Sequence, residues 1–189
     1  MISIRVGTAY ACALRRDQSV WCWGVSMFLG PEEVLASVPR RACCFRGPVR
    51  AIGLGRPWGC VLYMDGRYEC FTPFDHPVDQ PDWGTARREG VDLASSTTSH
   101  VALFADGTVE GFTRQNCPFG NGPIPDGAIG AHGIALGVED ATQVTAGYDH
   151  ACALLATGEV RCWGGNRAGQ LGDGSLTFRD APVTVRRLD

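Results

Sequence analysis

The 189-residue sequence contains no lysine, so its 17 basic residues are all arginine. We read this as a coding bias rather than a device for gripping anions through paired guanidinium contacts. The formal net charge is −3, a balance that offers no general attraction to nucleic acid or to an anionic membrane. No stretch approaches the roughly 18 consecutive apolar residues needed to span a bilayer. The opening segment, Met1 to Asp17, lacks the long apolar centre and cleavage site of a signal peptide. Cys-x-x-Cys and His-x-x-x-His spacings are absent, so no metal site is expected. No Gly-x-Ser-x-Gly elbow or phosphate-cradling loop occurs either, and no cofactor is expected. What the chain has is glycine, 25 residues, and proline, 11, the composition of a turn-rich all-β protein.

The stretch from Val144 to Gly174 organises the rest. Two runs of alternating apolar residues flank a Thr157-Gly158 turn, the pattern of half-buried antiparallel strands. With Cys152 as anchor, the same frame recurs at Cys12, Cys60 and Val101. Eight residues before each anchor stands an aliphatic residue: Ile4, Ile52, Leu93 or Val144. Five before it the residue is small, Gly7, Gly55, Ser96 or Gly147, and two after it is Leu14, Leu62, Leu103 or Leu154. The turn position holds Gln18, Gly66, Gly107 or Gly158. Cys22, Cys70, Gly111 and Cys162 follow, each with an aromatic neighbour: Trp23, Phe71, Phe112 or Trp163. Anchors recur at intervals of about 40 to 50 residues, a period that belongs to solenoids, propellers or arrays.

The fourth copy resembles the repeat of the regulator of chromosome condensation family, in a bacterial-type form. The residues that carry the likeness are Gly147, His150, Ala153-Leu154, Gly158, Trp163-Gly164 and Gly169-Gln170-Leu171-Gly172. Copy one keeps Gly7, Ala13-Leu14 and Trp23-Gly24, with Tyr10 in place of the His. Copies two and three are eroded, with Trp58 and Ser99 at the His position. The resemblance implies an all-β fold, a β-propeller of four-stranded antiparallel blades with about four repeats in one domain over 1–189. Repeat cores are expected over 2–24, 50–72, 91–113 and 142–174, with a C-terminal outer strand near 181–186. That last strand would precede a further copy, or join the first copy and close a small four-bladed ring. The alternative is a partial ring. The chain opens inside a repeat, with Ile2 to Val6 as its first strand, which leads us to expect a fragment of a longer protein.

Three connecting segments differ from copy to copy. Val25 to Gly47 carries Arg40 and Arg41, and its Glu32 to Val38 portion reads as one or two helical turns between Pro31 and Pro39. Pro73 to Arg88, which carries Trp83, and Gln115 to Leu136, which carries Phe119, read as irregular loops. Specificity is expected there. Trp58 and Tyr148, with Asp149 beside the latter, fall in turns between the first and second strands of their copies, places suited to protein recognition.

Nine cysteines give the sharpest chemical signal. Cys12/Cys22, Cys60/Cys70 and Cys152/Cys162 share one spacing, and copy three lacks both members together, as Val101 and Gly111. A hairpin folded about Gly158 would set Cys152 opposite Cys162, within reach of a disulfide. Small buried thiols at a strand interface are the other reading. Cys43, Cys44 and Cys117 fall outside these pairs, and Cys117 could pair with one of the other two. Bridges would imply an oxidising compartment, extracellular or in the cell envelope.

Of His76, His100, His132 and His150, the last stands at the family's turn position and reads as a shaper of that turn through a hydrogen bond to backbone. Asp149-His150 beside Cys152 has the makings of a nucleophile set, but the pairing of Cys152 removes the thiol. We therefore expect a protein-binding scaffold without catalytic residues, capable of self-association through open blade edges. The competing class is a hydrolase or lyase acting on polysaccharide or cell wall, as found on some unrelated propellers. Relatives of the resembled family include a nucleotide exchange factor for a nuclear small GTPase and a secreted inhibitor of β-lactamases. Neither activity carries over, since their contact residues lie on variable loops that cannot be matched to this sequence.

Overall fold

A computed structural model describes residues 3–25, 35–43, 45–55, 59–71, 89–96, 99–113, 133–134 and 138–186. For a few of these, Cys70 and Phe112 among them, it describes the backbone alone. Copy one forms β1 (Ser3–Val6), β2 (Tyr10–Leu14), β3 (Val20–Val25) and β4 (Leu35–Arg41), an antiparallel sheet in that order. Copy two supplies β5 (Val49–Leu54), β6 (Gly59–Tyr63) and β7 (Tyr68–Phe71). Copy three supplies β8 (Gly90–Ser95), β9 (Ser99–Phe104), β10 (Val109–Thr113) and a short outer strand, β11 (Gly133–Ile134). Copy four consists of β12 (Ala141–Ala146), β13 (His150–Leu155), β14 (Val160–Gly164) and β15 (Arg179–Thr184). No helix of the described residues is long and apolar enough to cross a membrane.

Every copy folds its second and third strands around the same three-residue turn. In copy four, Leu155 N–H donates to Glu159 O at 2.9 Å and Gly158 N–H to Leu155 O at 2.9 Å. The pairs Arg15/Ser19 with Gln18/Arg15, Tyr63/Arg67 with Gly66/Tyr63, and Phe104/Thr108 with Gly107/Phe104 repeat this geometry. A loop of this kind needs a left-handed residue at its last position. Gly66, Gly107 and Gly158 take φ of 86°, 78° and 85°, and Gln18 takes 64° in spite of its side chain.

Irregularities recur as faithfully as the turns. The first strand slips register at Val49/Ala51, Gly90/Asp92 and Ala141/Gln143, the same repeat position each time. The third strand slips at Cys22/Gly24 and Cys162/Gly164, where the glycine of each Trp-Gly pair has φ of 88° or 104°. A β-bulge with glycine in a left-handed conformation bends a strand sharply, which explains the glycine after the aromatic. A Cβ on Gly24 would also sit 2.8 Å from the Tyr10 Cα.

Three expectations change. Leu35 to Val38 is part of β4, not a helix, and pairs Val25 with Leu35 and Gly24 with Ala36. The open edge of β3 offers backbone hydrogen bonds that outweigh local helical preference, and Pro39 is tolerated because β4 is an outer strand. Residues 32–34 lie outside the described residues. Likewise Gly133–Ile134 forms β11 within the segment read as a loop. Finally, β15 pairs with β14 as the outer strand of its own sheet. Copy one has its own outer strand in β4, so the 181–186 segment does not complete copy one.

The chain divides into two compact units, Met1–Glu89 and Gly90–Asp189. In the first, Tyr10, Cys12 and Leu14 of β2 pack with Ile52 and Leu54 of β5. In the second, Val101 and Leu103 of β9 pack with Ala141 and Val144 of β12. Thus the second strand of one copy rests on the first strand of the next. Each large aliphatic side chain so enclosed contributes about 1.5–3 kcal/mol. The expected half-buried alternation is seen in β13, whereas β2 and β6 are buried at every position.

Candidate interaction surface

The three hairpins carry their cysteines in register: Cys12 opposite Cys22, Cys60 opposite Cys70, Cys152 opposite Cys162. Cys12–Cys22 and Cys152–Cys162 are disulfides, with Cα atoms 4.1 and 4.0 Å apart. Such closeness marks the non-hydrogen-bonded kind of cross-strand pair. Cys60 is disulfide-bonded too, and the Cys70 side chain lies outside the described residues. Cys43 is exposed, while Cys44 and Cys117 are outside the description.

The turn between β12 and β13 is fastened to the long connection between β14 and β15. Gly147 N–H donates to His150 O at 2.9 Å, and the imidazole lies over Gly147, where no Cβ would fit. Gly165 N–H donates to Asp149 O at 2.8 Å, and the Asp149 carboxylate occupies the place a Cβ on Gly165 would need. Gln170 Nε2 donates to Asp149 Oδ1 at 3.3 Å. The Gly-Gln-Leu-Gly motif therefore has a mechanical meaning: Gln170 ties down the turn, and Leu171 is fully buried beneath it. The hydrogen bond to backbone expected of His150 is not made by its buried Nδ1, which has no hydrogen-bond partner among the described residues; the ring shapes the turn by packing on Gly147. The nearby Asp149 Oδ1 is 3.6 Å away, too far for a hydrogen bond.

Beneath this loop sits a polar cluster that the repeat pattern did not reveal. Buried Asn166 donates through Nδ2 to Asp173 Oδ1 at 3.1 Å and to Ser175 O at 3.0 Å, and accepts from Leu171 N–H at 3.0 Å. Asp173 also accepts from the Ser175 hydroxyl at 2.8 Å and from Arg179 Nε at 2.7 Å. Hydrogen bonds from the Ser175 side chain and backbone, with Arg179 and Asn166, hold its carboxyl far below the usual carboxylate range. The only sequence hint was the Asp173-Gly174-Ser175 turn.

This scaffold leaves apolar side chains on the outside. Tyr148 is 71% exposed and Leu176 68%, on the two segments that the Asp149–Gln170 contact joins. Asp149 itself faces inward. Arg40 and Arg41 lie exposed on β4 of the first unit, opposite Cys22 and Trp21. Trp58, Trp83 and Phe119 lie outside the described residues. His100, which had no evident partner in the sequence, is buried with Nδ1 2.8 Å from Ser95 Oγ. Burial lowers its pKa to about 4. Trp163 is in the core of its unit, whereas Trp23 at the same repeat position is only partly buried.

Recurrent four-stranded antiparallel sheets in copies of one repeat define a β-propeller repeat protein. Residues 141–170 match the model of the Regulator of chromosome condensation (RCC1) repeat. The chain is 25% identical to the human probable E3 ubiquitin-protein ligase HERC6 over 195 residues, all of this chain but 15% of that protein. Among solved structures, human WBSCR16 superposes with a TM-score of 0.75 at 16% identity, covering 98% of this chain and 53% of that one. Yeast RCC1 (Prp20), solved with Kap60 bound, gives 0.72 at 18% identity, covering 100% and 49%. The chain thus spans about half the length of these two structures. It carries one matched RCC1 repeat, at residues 141–170, and shares the fold of RCC1-type repeat proteins.

Proposed function

We propose that the protein is a non-enzymatic scaffold that binds another protein through the turn and loop around Tyr148. The observation that carries this reading is the exposure of Tyr148 and Leu176 on segments fastened by Gln170, Asp149 and the Asn166–Asp173 cluster. A large, stiff amphipathic side chain on a prearranged support loses little entropy when a partner closes over it. Protein binding by structural neighbours supports the class of partner, since yeast Prp20 has been solved with Kap60 and studied for binding to Gsp1p and histones. The partner of this chain is of its own kind, because loops set the choice. The disulfides further support an oxidising location, extracellular or in the cell envelope.

A photo-crosslinking amino acid placed at position 148, and separately at exposed Thr157 on the opposite turn, tests the assignment. We expect a discrete protein adduct from position 148 and none from 157. Equal adducts from both positions, or no protein adduct from 148, overturn it.

A further inference from the structure

At one position of the third strand the copies carry different chemistry, and copy one stands apart. In copy two the position holds Glu69, which accepts from the Tyr63 hydroxyl at 2.5 Å and lies 3.3 Å from Arg46 Nε. In copy four it holds Arg161, whose Nε donates to Glu159 Oε1 at 2.8 Å. Glu159 Oε1 also accepts from the Thr184 hydroxyl at 2.6 Å. Charge is thus balanced at this position in both copies. Copy one has Trp21 there, and the charges beside it are of one sign.

Arg41 of β4 stands directly opposite Trp21 in the register, so the two side chains share a face. Arg15 follows two residues after Ala13, the β2 partner of Trp21, and its guanidinium carbon lies 5.9 Å from the indole centroid. Trp21 Nε1 donates to Ser19 Oγ at 3.1 Å, which fixes the ring. A row therefore crosses the sheet, with a partly exposed indole between exposed Arg15 and exposed Arg41, and exposed Arg16 adjoins it. The described residues of copy one hold Arg5, Arg15, Arg16, Arg40 and Arg41 against a single carboxylate, Asp17. Asp17 is engaged in its own turn, accepting from Ser19 N–H at 3.1 Å and from the Ser19 hydroxyl at 2.6 Å, and stays 3.8 Å from Arg15 Nη1. Glu32 and Glu33 lie outside the described residues. The opposite face of this sheet, with Tyr10, Cys12 and Leu14, packs on β5. The outer part of the Trp21 face stays open even where another copy covers the inner part. In copy four β9 packs on Val144, yet the Arg161 and Glu159 side chains remain 31% and 32% exposed.

We propose that this row binds an acidic polysaccharide. Arg15 and Arg41 fork onto its carboxylate or sulfate groups, and a sugar ring lies along the open side of Trp21. A guanidinium stacked on an indole keeps its N–H edge outward, so Arg15 is already ordered for such a group. Two other anionic polymers fit this surface less well. An acidic peptide cannot extend the sheet as a further strand past Pro39 of β4, which has no N–H. A nucleic acid is out of place in the oxidising location that the disulfides support. The site lies wholly in copy one and does not depend on the surface around Tyr148.

Affinity electrophoresis of the 189-residue chain tests the proposal, through gels holding polygalacturonate or heparin. Polyglutamate, a single-stranded oligonucleotide and neutral dextran fill parallel gels, all at near-physiological salt. We expect retardation by at least one of the two glycans, and binding to it at least roughly fivefold weaker in Arg15→Gln, Arg41→Gln and Trp21→Leu. Arg186→Gln removes the same charge from the second unit and should bind like the parent. Circular dichroism checks folding, and the two exposed arginine variants carry the test if Trp21→Leu unfolds. Absence of retardation by both glycans overturns the proposal. So do Arg15→Gln and Arg41→Gln chains that bind like the parent, or an equal loss in Arg186→Gln, which marks a response to net charge alone. Stronger retardation by polyglutamate or by the oligonucleotide than by either glycan overturns it as well, in favour of those ligands.

Discussion

The imidazole of His150 lies directly over the Cα of Gly147, and the ring of Tyr10 lies likewise over Gly7, whose added Cβ would meet Tyr10 Cε1 at 2.6 Å. Glycine at this repeat position is thus a matter of space above the backbone. Gly147→Ala is expected to displace the ring and cost about 1–3 kcal/mol, as overpacking does. Thermal unfolding measures this, and an unchanged melting temperature would show that the ring swings aside freely.

The hairpin turns separate strain from packing. A Cβ on Gly158 would meet nothing within 4 Å, so Gly158→Val should destabilise through its positive φ alone, by about 1–3 kcal/mol. Conversely, Gln18 holds the same conformation without being glycine. Gln18→Gly should therefore stabilise copy one by about 0.5–1 kcal/mol, the left-handed penalty less the added chain entropy. Urea titration of both variants decides the matter; a loss of stability in Gln18→Gly would contradict it.

Peptide mapping without reductant is expected to show Cys12–Cys22, Cys60–Cys70 and Cys152–Cys162 bridges. Loop-closure entropy gives each an upper bound of about 2.5–3 kcal/mol, and the prior closeness of hairpin strands reduces it. Melting with and without reductant should differ accordingly. Unmodified thiols at all six positions would refute both the bridges and the oxidising location.

His100 predicts a pH dependence. Its imidazole is neutral in the fold, with its pKa lowered to about 4 by burial, and near 6.5 when unfolded. Between those values the unfolded chain binds more protons, so stability falls as pH drops from about 6.5 to 4 and this contribution levels off below. The span is on the order of 3 kcal/mol. In His100→Gln the stability profile over that window should be flatter than in the parent; equal slopes would place the effect elsewhere.

The hairpin register was legible because it is local. Cys152 opposite Cys162 follows from a two-strand ribbon and a glycine turn, with no help from the rest of the chain. β4 was not legible, because Pro31-Glu32-Glu33-Val34-Leu35 favours a helix and only the open edge of β3 makes residues 35–41 a strand. The Asn166–Asp173 cluster was hidden for another reason. Among the described residues it belongs to copy four, and Ser26, Phe74 and Gln115 stand where that copy has Asn166, so no column of the repeat marks it. His100 found its partner in Ser95, across two strands whose pairing the repeat frame gave but whose side-chain contact it did not.

The outer strands β4 and β15 each hold a proline in mid-strand, Pro39 and Pro182. A residue without an N–H cannot continue a ladder outward, so strand-by-strand growth is blocked on those rims. Faces that stack carry no such block. Those two rims are thus proofed against fibre-like extension, while a partner that lies flat against a sheet meets no such obstacle there.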